Sequence, residues 1–131
     1  MTNGCFDLFH AGHVALLQYA YDRSENSGVY VAVNSDRSVR ELKGPGRPVY
    51  PERERCEILR ACSYVREVFL FETEEELSDL YRRVQPHILV KGIEWEHKPI
   101  TGRKWALDVS YAPRWEGIST SDIIGRIRAN P

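Results

Sequence analysis

One hundred and thirty-one residues match one ordinary domain, since domains run from about 50 to 250 residues, and leave no room for two independent catalytic domains. The composition, 42% hydrophobic, 28% charged and 11% aromatic, is too apolar for a disordered tail and too polar for a membrane protein. Eighteen Lys plus Arg against 19 Asp plus Glu leave a formal charge of −1, which provides no general field for nucleic acid; any anion must be met by a local cluster of donors.

The three cysteines, Cys5, Cys56 and Cys62, are odd in number and never spaced as CxxC. With no apolar leader in the first residues, they predict a reducing, cytoplasmic setting. No apolar run approaches the ~18 residues that cross a bilayer.

In chain order, Asn3 and Gly4 read as an opening turn, and residues 12–22 as a first helix, because Val14, Leu17 and Tyr21 recur with Leu16 and Ala20 at helical spacing. Residues 29–33 ("VYVAV") form a short β-branched and aromatic run, a buried strand followed by a polar loop from Asn34, Ser35 and Asp36. Residues 42–51 ("LKGPGRPVYP") hold Gly, Pro and cations in a stretch that suits an exposed loop. Pro51 then suits the first turn of a helix carrying Arg55, Ile58, Leu59 and Cys62 on its periodic positions. A strand is expected over 65–71. Thr73 with Glu76 resembles a capping box for a helix whose apolar face is Leu77, Leu80, Tyr81 and Val84, closed by Pro86. Residues 87–92 ("HILVKG") and 109–112 are the last strands, and "ISTSD" announces a closing helix with Ile123, Ile124 and Ile127. Alternating strands and helices imply right-handed βαβ crossovers and a parallel sheet covered on both faces. Ligands of such α/β sheets lie beyond the carboxyl ends of the strands.

Four polar clusters converge on those ends: 4–13 ("GCFDLFHAGH"), 34–47, 91–95 ("KGIEW") and 114–121 ("RWEGISTS"). His10 and His13 share one side of a helix start, with Gly12 between them allowing a ligand close to the backbone. Three readings compete for the pair: zinc ligation, which normally needs a third ligand that neither an HExxH pattern nor a spaced Cys pair supplies; hydrogen bonding that merely finishes the helix start; and an anion site where free N–H groups, helix dipole and imidazole donors point the same way. Ser119, Thr120 and Ser121 read either as a second anion site or as a plain N-cap. Lys43, Arg47 and Arg55 read either as cations closing on a polyphosphate or as surface charges. Taken together the clusters fit a nucleoside triphosphate. No GxxxxGK[ST] loop and no GxGxxG occurs, so neither a P-loop enzyme nor a nicotinamide Rossmann enzyme is indicated.

The segments "TNGCFDLFHAGH", "VAVNSDRSVRELKGPGRPV", "ERERCEIL", "LVKG" and "EGISTSDIIGRI" resemble the cytidylyltransferase-like nucleotidyltransferases with an HxGH motif. Residues 31–49 look most like the adenylyltransferase domain of heptose-phosphate enzymes, whereas "RWEGISTS" and "EWEHK" look more like glycerol-3-phosphate cytidylyltransferase. The resemblance implies a single Rossmann-like, HUP-type three-layer domain over residues 1–131 with a parallel sheet of about five strands. It implies transfer of a nucleoside monophosphate from ATP or CTP to a sugar or polyol phosphate, with Mg²⁺ and pyrophosphate release, in a homodimer. His10, His13 and Lys43 would be catalytic. Gly4, Cys5, Phe6, Gly12, Lys91, Gly92, Glu94, Trp95, Arg114, Ile118, Ser119 and Thr120 would hold the nucleotide, and Asp7, Asp36 and Arg55 the acceptor, with Asp7 or Asp36 alternatively orienting Mg²⁺; no resident metal site is expected. Glu94 and Trp95 stand where the heptose enzymes carry "GGDY", so the base stays open between adenine and cytosine, and Trp95 and Trp115 are equally packing candidates. Two further readings compete with the transferase: a nucleotide-binding module without turnover, and a metal-dependent hydrolase built on the two histidines. The family turn should follow a hydrophobic central strand, yet Met1 and Thr2 alone precede Asn3. The expectation is that residues upstream complete this strand or that the stub pairs as it stands.

Overall fold

The computed structural model describes residues 1–130. Five strands are present: β1 (Thr2–Gly4), β2 (Val29–Asn34), β3 (Val65–Phe71), β4 (Ile88–Gly92) and β5 (Asp108–Ala112). Five α-helices accompany them: α1 (Ala11–Asp22), α2 (Asp36–Lys43), α3 (Glu52–Arg60), α4 (Glu74–Val84) and α5 (Thr120–Ala129). Every strand pairing is parallel, β1 with β2, β2 with β3 and β4 with β5. Met1 joins the two ladders: its nitrogen donates to the Ile88 carbonyl at 2.9 Å and its carbonyl accepts from Val90 N–H at 2.9 Å. The spatial order is therefore 3-2-1-4-5, and the direction of winding reverses between β1 and β4.

β2 explains the layering. Val29, Val31 and Val33 point to one face, into a cluster with Phe6, Leu17, Leu59 and Val90; Ala32 points to the other, into a cluster with Phe71, Leu77, Leu80, Tyr81 and Leu89. A strand with period 2 that buries both of its faces needs cover on both. α1 and α3 supply it on one side and α4 on the other.

Three local readings change. Asn3 and Gly4 end a strand and do not form a turn, which begins at Cys5; the stub pairs with Val31, Ala32 and Val33 of β2. The polar stretch after β2 is largely helical. Ser35 caps α2 by accepting from Ser38 N–H at 3.1 Å, Asp36 sits in the first turn, Arg40 and Lys43 sit in the last, and Gly44 ends it at φ 97°. Those charges suit the helix dipole. The helix escapes an apolar-periodicity search because Val39 is its one buried apolar residue; Ser before it and Gly after it are the signals that could have found it. Helix α3 stops at Arg60, so Cys62 lies in the turn beyond it.

Candidate active site

A cleft of about 710 Å³ opens at the carboxyl ends of the strands. Its floor includes the last residue of every strand: Gly4, Asn34, Phe71, Gly92 and Ala112. This is the switch point of the winding, where open α/β sheets leave a crevice. Asn34, the first residue of the 34–47 cluster, lines the cleft where β2 ends; Phe71 and Glu74, which sequence reasoning missed, line it where β3 ends and α4 begins.

The turn between β1 and α1 forms the central wall. Phe6 and Leu8 adopt φ 52° and 49°, left-handed conformations that cost a non-glycine residue energy and tend to gather at functional sites. The turn delivers His10 to the N-cap of α1, where its Nδ1 accepts from Gly12 N–H at 3.0 Å, while Nδ1 of His13 accepts from His10 N–H at 3.2 Å. The two rings stack with centroids 3.7 Å apart, and Phe6 and Phe9 flank His13. An Nδ1 that accepts holds its lone pair there, so both neutral rings carry their proton on Nε2. Helix capping and ligand binding thus divide the imidazoles between them: Nδ1 finishes the helix, and Nε2–H remains for the cleft that both residues line. Burial lowers the pKa of His10; burial, followed by the neighbouring His10, brings that of His13 down to about 3, against the pull of Asp7. Both rings are uncharged donors at neutral pH.

Gly12 lines the cleft and also makes room within the protein. A Cβ there would stand 2.9 Å from the His10 ring, so His10 needs the missing side chain for its own close approach. Gly12→Ala should displace the ring and its cap, costing ~0.5–2 kcal/mol in urea denaturation together with most of the activity; unchanged stability would contradict this.

The pKa of His13 also makes stability depend on pH. The unfolded chain takes up the proton near pH 6.5 while the folded chain resists it to about 3. The contribution is therefore complete above about pH 6.5 and declines as pH falls toward 3, at up to about 1.4 kcal/mol per pH unit. His13→Asn, which does not titrate, should show a shallower loss between pH 6 and 4 in urea denaturation; an identical slope would refute the assignment.

At the cleft's rim, Ser119 caps α5 by accepting from Asp122 N–H at 3.1 Å and donates its hydroxyl proton to Asp122 Oδ2 at 2.8 Å. Thr120 Oγ1 donates to the Asp7 carbonyl at 2.8 Å. Both of these hydroxyl protons are committed, so the donors left at this helix start are main-chain N–H groups and the hydroxyl of Ser121, which also lines the cleft. Lys43 and Arg47 also line the cleft. On the β4 side, Lys91 is nearly buried, with its Nζ 3.3 Å from the Asn3 carbonyl and 4.6 Å from the Trp95 ring centroid; Lys98 lies 5.4 Å from that ring. Burial lowers the pKa of Lys91, opposed by Glu94, Cys5 and Glu74. Trp115 is 54% exposed and lines the cleft with Arg114 and Ile118, so it is no core residue.

Two residues expected to bind the acceptor lie outside the cleft lining and are paired within the protein. Arg55 does not line the cleft; its guanidinium is fully buried and donates to the carbonyls of Tyr50, Cys5 and Asn34 and to Asp36 Oδ1, at 2.7–2.9 Å. Asp36 is held by that pair and by the Glu52 N–H at 2.7 Å, also outside the cleft. Asp7 does reach the wall, but both carboxylate oxygens are occupied, by Arg47 Nε and by the N–H groups of Val49 and Tyr50. Among the described residues no group of three or more His, Cys, Asp or Glu is placed to hold a metal ion, and no helix is long and apolar enough to cross a membrane.

The Cytidylyltransferase-like family matches residues 1–126. Among curated relatives, the chain is 41% identical over 128 residues to the bifunctional protein HldE of Koribacter versatilis, covering 95% of this chain and 26% of that protein. It is 45% identical over 134 residues to the HldE of Psychromonas ingrahamii, covering 99% and 28%, and 45% identical over 132 residues to that of Photobacterium profundum, covering 98% and 27%. The chain thus spans about a quarter of the length of these relatives. In three dimensions it is similar to the lipopolysaccharide core biosynthesis protein of Thermoplasma volcanium, with a TM-score of 0.72 at 19% identity, covering 88% of this chain and 96% of that one, a likeness of fold.

Proposed function

The chain belongs to the Cytidylyltransferase-like family, and from that premise we propose that it transfers a nucleoside monophosphate from a nucleoside triphosphate to a phosphorylated sugar or polyol, releasing pyrophosphate. The carrying observation is the stacked His10–His13 pair: two neutral Nε2–H donors side by side in a cleft that also receives a helix start, Lys43 and Arg47. An acceptor phosphate oxygen forms the new bond to the α-phosphorus as the bond to the β-phosphate oxygen breaks, and the electron pair leaves with pyrophosphate. The acceptor is already an anion, so no strong base is needed. Positioning, and donors preorganised for charge that builds on the α-phosphate, supply the catalysis. His10 and His13 are the candidates for that role, the α5 N–H groups and Lys43 for the β- and γ-phosphates. With Asp7 committed to the protein, Mg²⁺ would be held by the triphosphate itself.

In its finer form the reading is ATP and heptose 1-phosphate, supported by the motif over 31–49 and the similarity to the HldE proteins. Glu94 and Trp95 together with "RWEGISTS" favour a second, CTP-dependent reading. A homodimer in a reducing, cytoplasmic setting belongs to either; Cys5, Cys56 and Cys62 are free thiols. Pyrophosphate release with ATP and CTP across heptose, glycerol and other phosphates is the test. Turnover with ATP and heptose 1-phosphate is expected; turnover with CTP alone selects the second reading, and tight nucleotide binding with no product from any pair overturns both in favour of a binding module.

A further inference from the structure

We propose that Asp7 is a positioning residue, whose buried carboxylate holds the Arg47 guanidinium in the orientation that meets the substrate's polyphosphate. The proposal rests on the reading of the cleft as a polyphosphate site. Asp7 is 1% exposed. Its Oδ2 accepts from Val49 N–H at 2.7 Å and from Arg47 Nε at 3.2 Å, its Oδ1 from Tyr50 N–H at 2.9 Å, and its carbonyl from the Thr120 hydroxyl. One residue of the histidine turn therefore ties down two other walls of the cleft, the cationic loop and the start of α5.

The consequence for Arg47 is specific. The loop leaves α2 through Gly44 and Gly46, both at positive φ, 97° and 92°, with open space around them. A turn closed by the Arg47 N–H on the Gly44 carbonyl at 3.3 Å sets the backbone of Arg47 but leaves its long side chain to be oriented by its partners. Pairing through Nε does so: it fixes the guanidinium plane and, among the described residues, leaves both terminal nitrogens of Arg47 without a protein partner. Arg47 is 16% exposed at its side chain and lines the cleft, so its remaining donors face the ligand space in the fork geometry that suits phosphate oxygens. A buried carboxylate is costly unless paired, and here its partners are the loop it orders. Asp7 then acts through Arg47, touching neither acceptor nor metal.

The probe is inorganic tripolyphosphate, measured by calorimetry on the full chain, so the outcome does not depend on which nucleotide or acceptor turns over. Wild type should bind it; Asp7→Asn and Arg47→Gln should each weaken binding about tenfold or more, the scale of one charge-assisted contact, and the double variant should be no weaker than Arg47→Gln by more than about threefold, since coupled residues are not additive. Arg47→Lys, which leaves the carboxylate in place and keeps the charge, should lose nearly as much as Arg47→Gln because an ammonium cannot pair with Asp7 and present a fork together. Multiplied losses in the double variant, wild-type binding by Arg47→Lys, or no binding by wild type each overturns the proposal. Absence of turnover with every nucleotide, with these binding results intact, overturns the transferase reading alone.

Discussion

Replacing His13 by asparagine is expected to leave a folded protein that turns over roughly 10²-fold or more slowly, the scale lost when one preorganised donor to developing charge is removed. Asparagine can still accept from His10 N–H through its side-chain oxygen, so the reciprocal cap survives, but nothing then stands at the Nε2 position. His13→Ala removes both and should lose rate and about 1 kcal/mol of stability as well. Comparing the two variants separates capping from catalysis. The separation is possible because the ring nitrogens have different jobs: Nδ1 accepts from the backbone, which leaves Nε2 as the donor of a residue that lines the cleft. A pyrophosphate-release rate near wild type in His13→Asn would refute the donor role.

The largest effect on stability is expected at Arg55. Its guanidinium satisfies three carbonyls and a carboxylate from four segments, the ends of β1 and β2, the start of α2 and the loop at Tyr50. Arg55→Ala abandons all four in a buried site and should cost ~3–5 kcal/mol, lowering the melting temperature by ~10 °C or more. Arg55→Lys should recover little of this, because one ammonium cannot reproduce a planar fork aimed at four acceptors. A substrate-binding arginine behaves otherwise, keeping the melting temperature and raising KM for the acceptor. A melting temperature within about 2 °C of wild type in Arg55→Ala would remove the structural assignment.

The contrast between the two residues shows what can be read along a chain. The His10–His13 arrangement is local: its bonds join residues two and three apart, so spacing alone indicated a shared helix start, even though the split of labour between ring nitrogens was not visible. The caps at Thr73 and Ser119 are equally local, their side chains accepting from Glu76 and Asp122 N–H, and the sequence identifies both. α2 is local too, yet hidden, because its eight residues include two apolar ones, Val39 and Leu42, too few for an apolar pattern to announce it.

Asp7, Arg55 and Thr120 could not be placed from sequence, and for one reason. Asp7 bonds to residues 40, 42 and 43 positions away, Arg55 to Cys5 at 50, and Thr120 to Asp7 at 113. In a linear reading each is a polar group without a visible partner, and a ligand is the natural assignment. The fold instead brings protein acceptors and donors to them first, because a polar group taken out of water must be paired within the molecule.

The sequence by itself determined the alternation of strands and helices, the parallel sheet with both faces covered, and the convergence of glycine, histidine and cation clusters on one edge, since periodicity, caps and turn residues act between neighbours. Tertiary structure alone decided the order 3-2-1-4-5, the junction of β1 and β4 through Met1, and which polar groups remain free to meet a ligand. That last choice is a competition among distant partners for a limited number of hydrogen bonds, and it is resolved only when packing sets the distances.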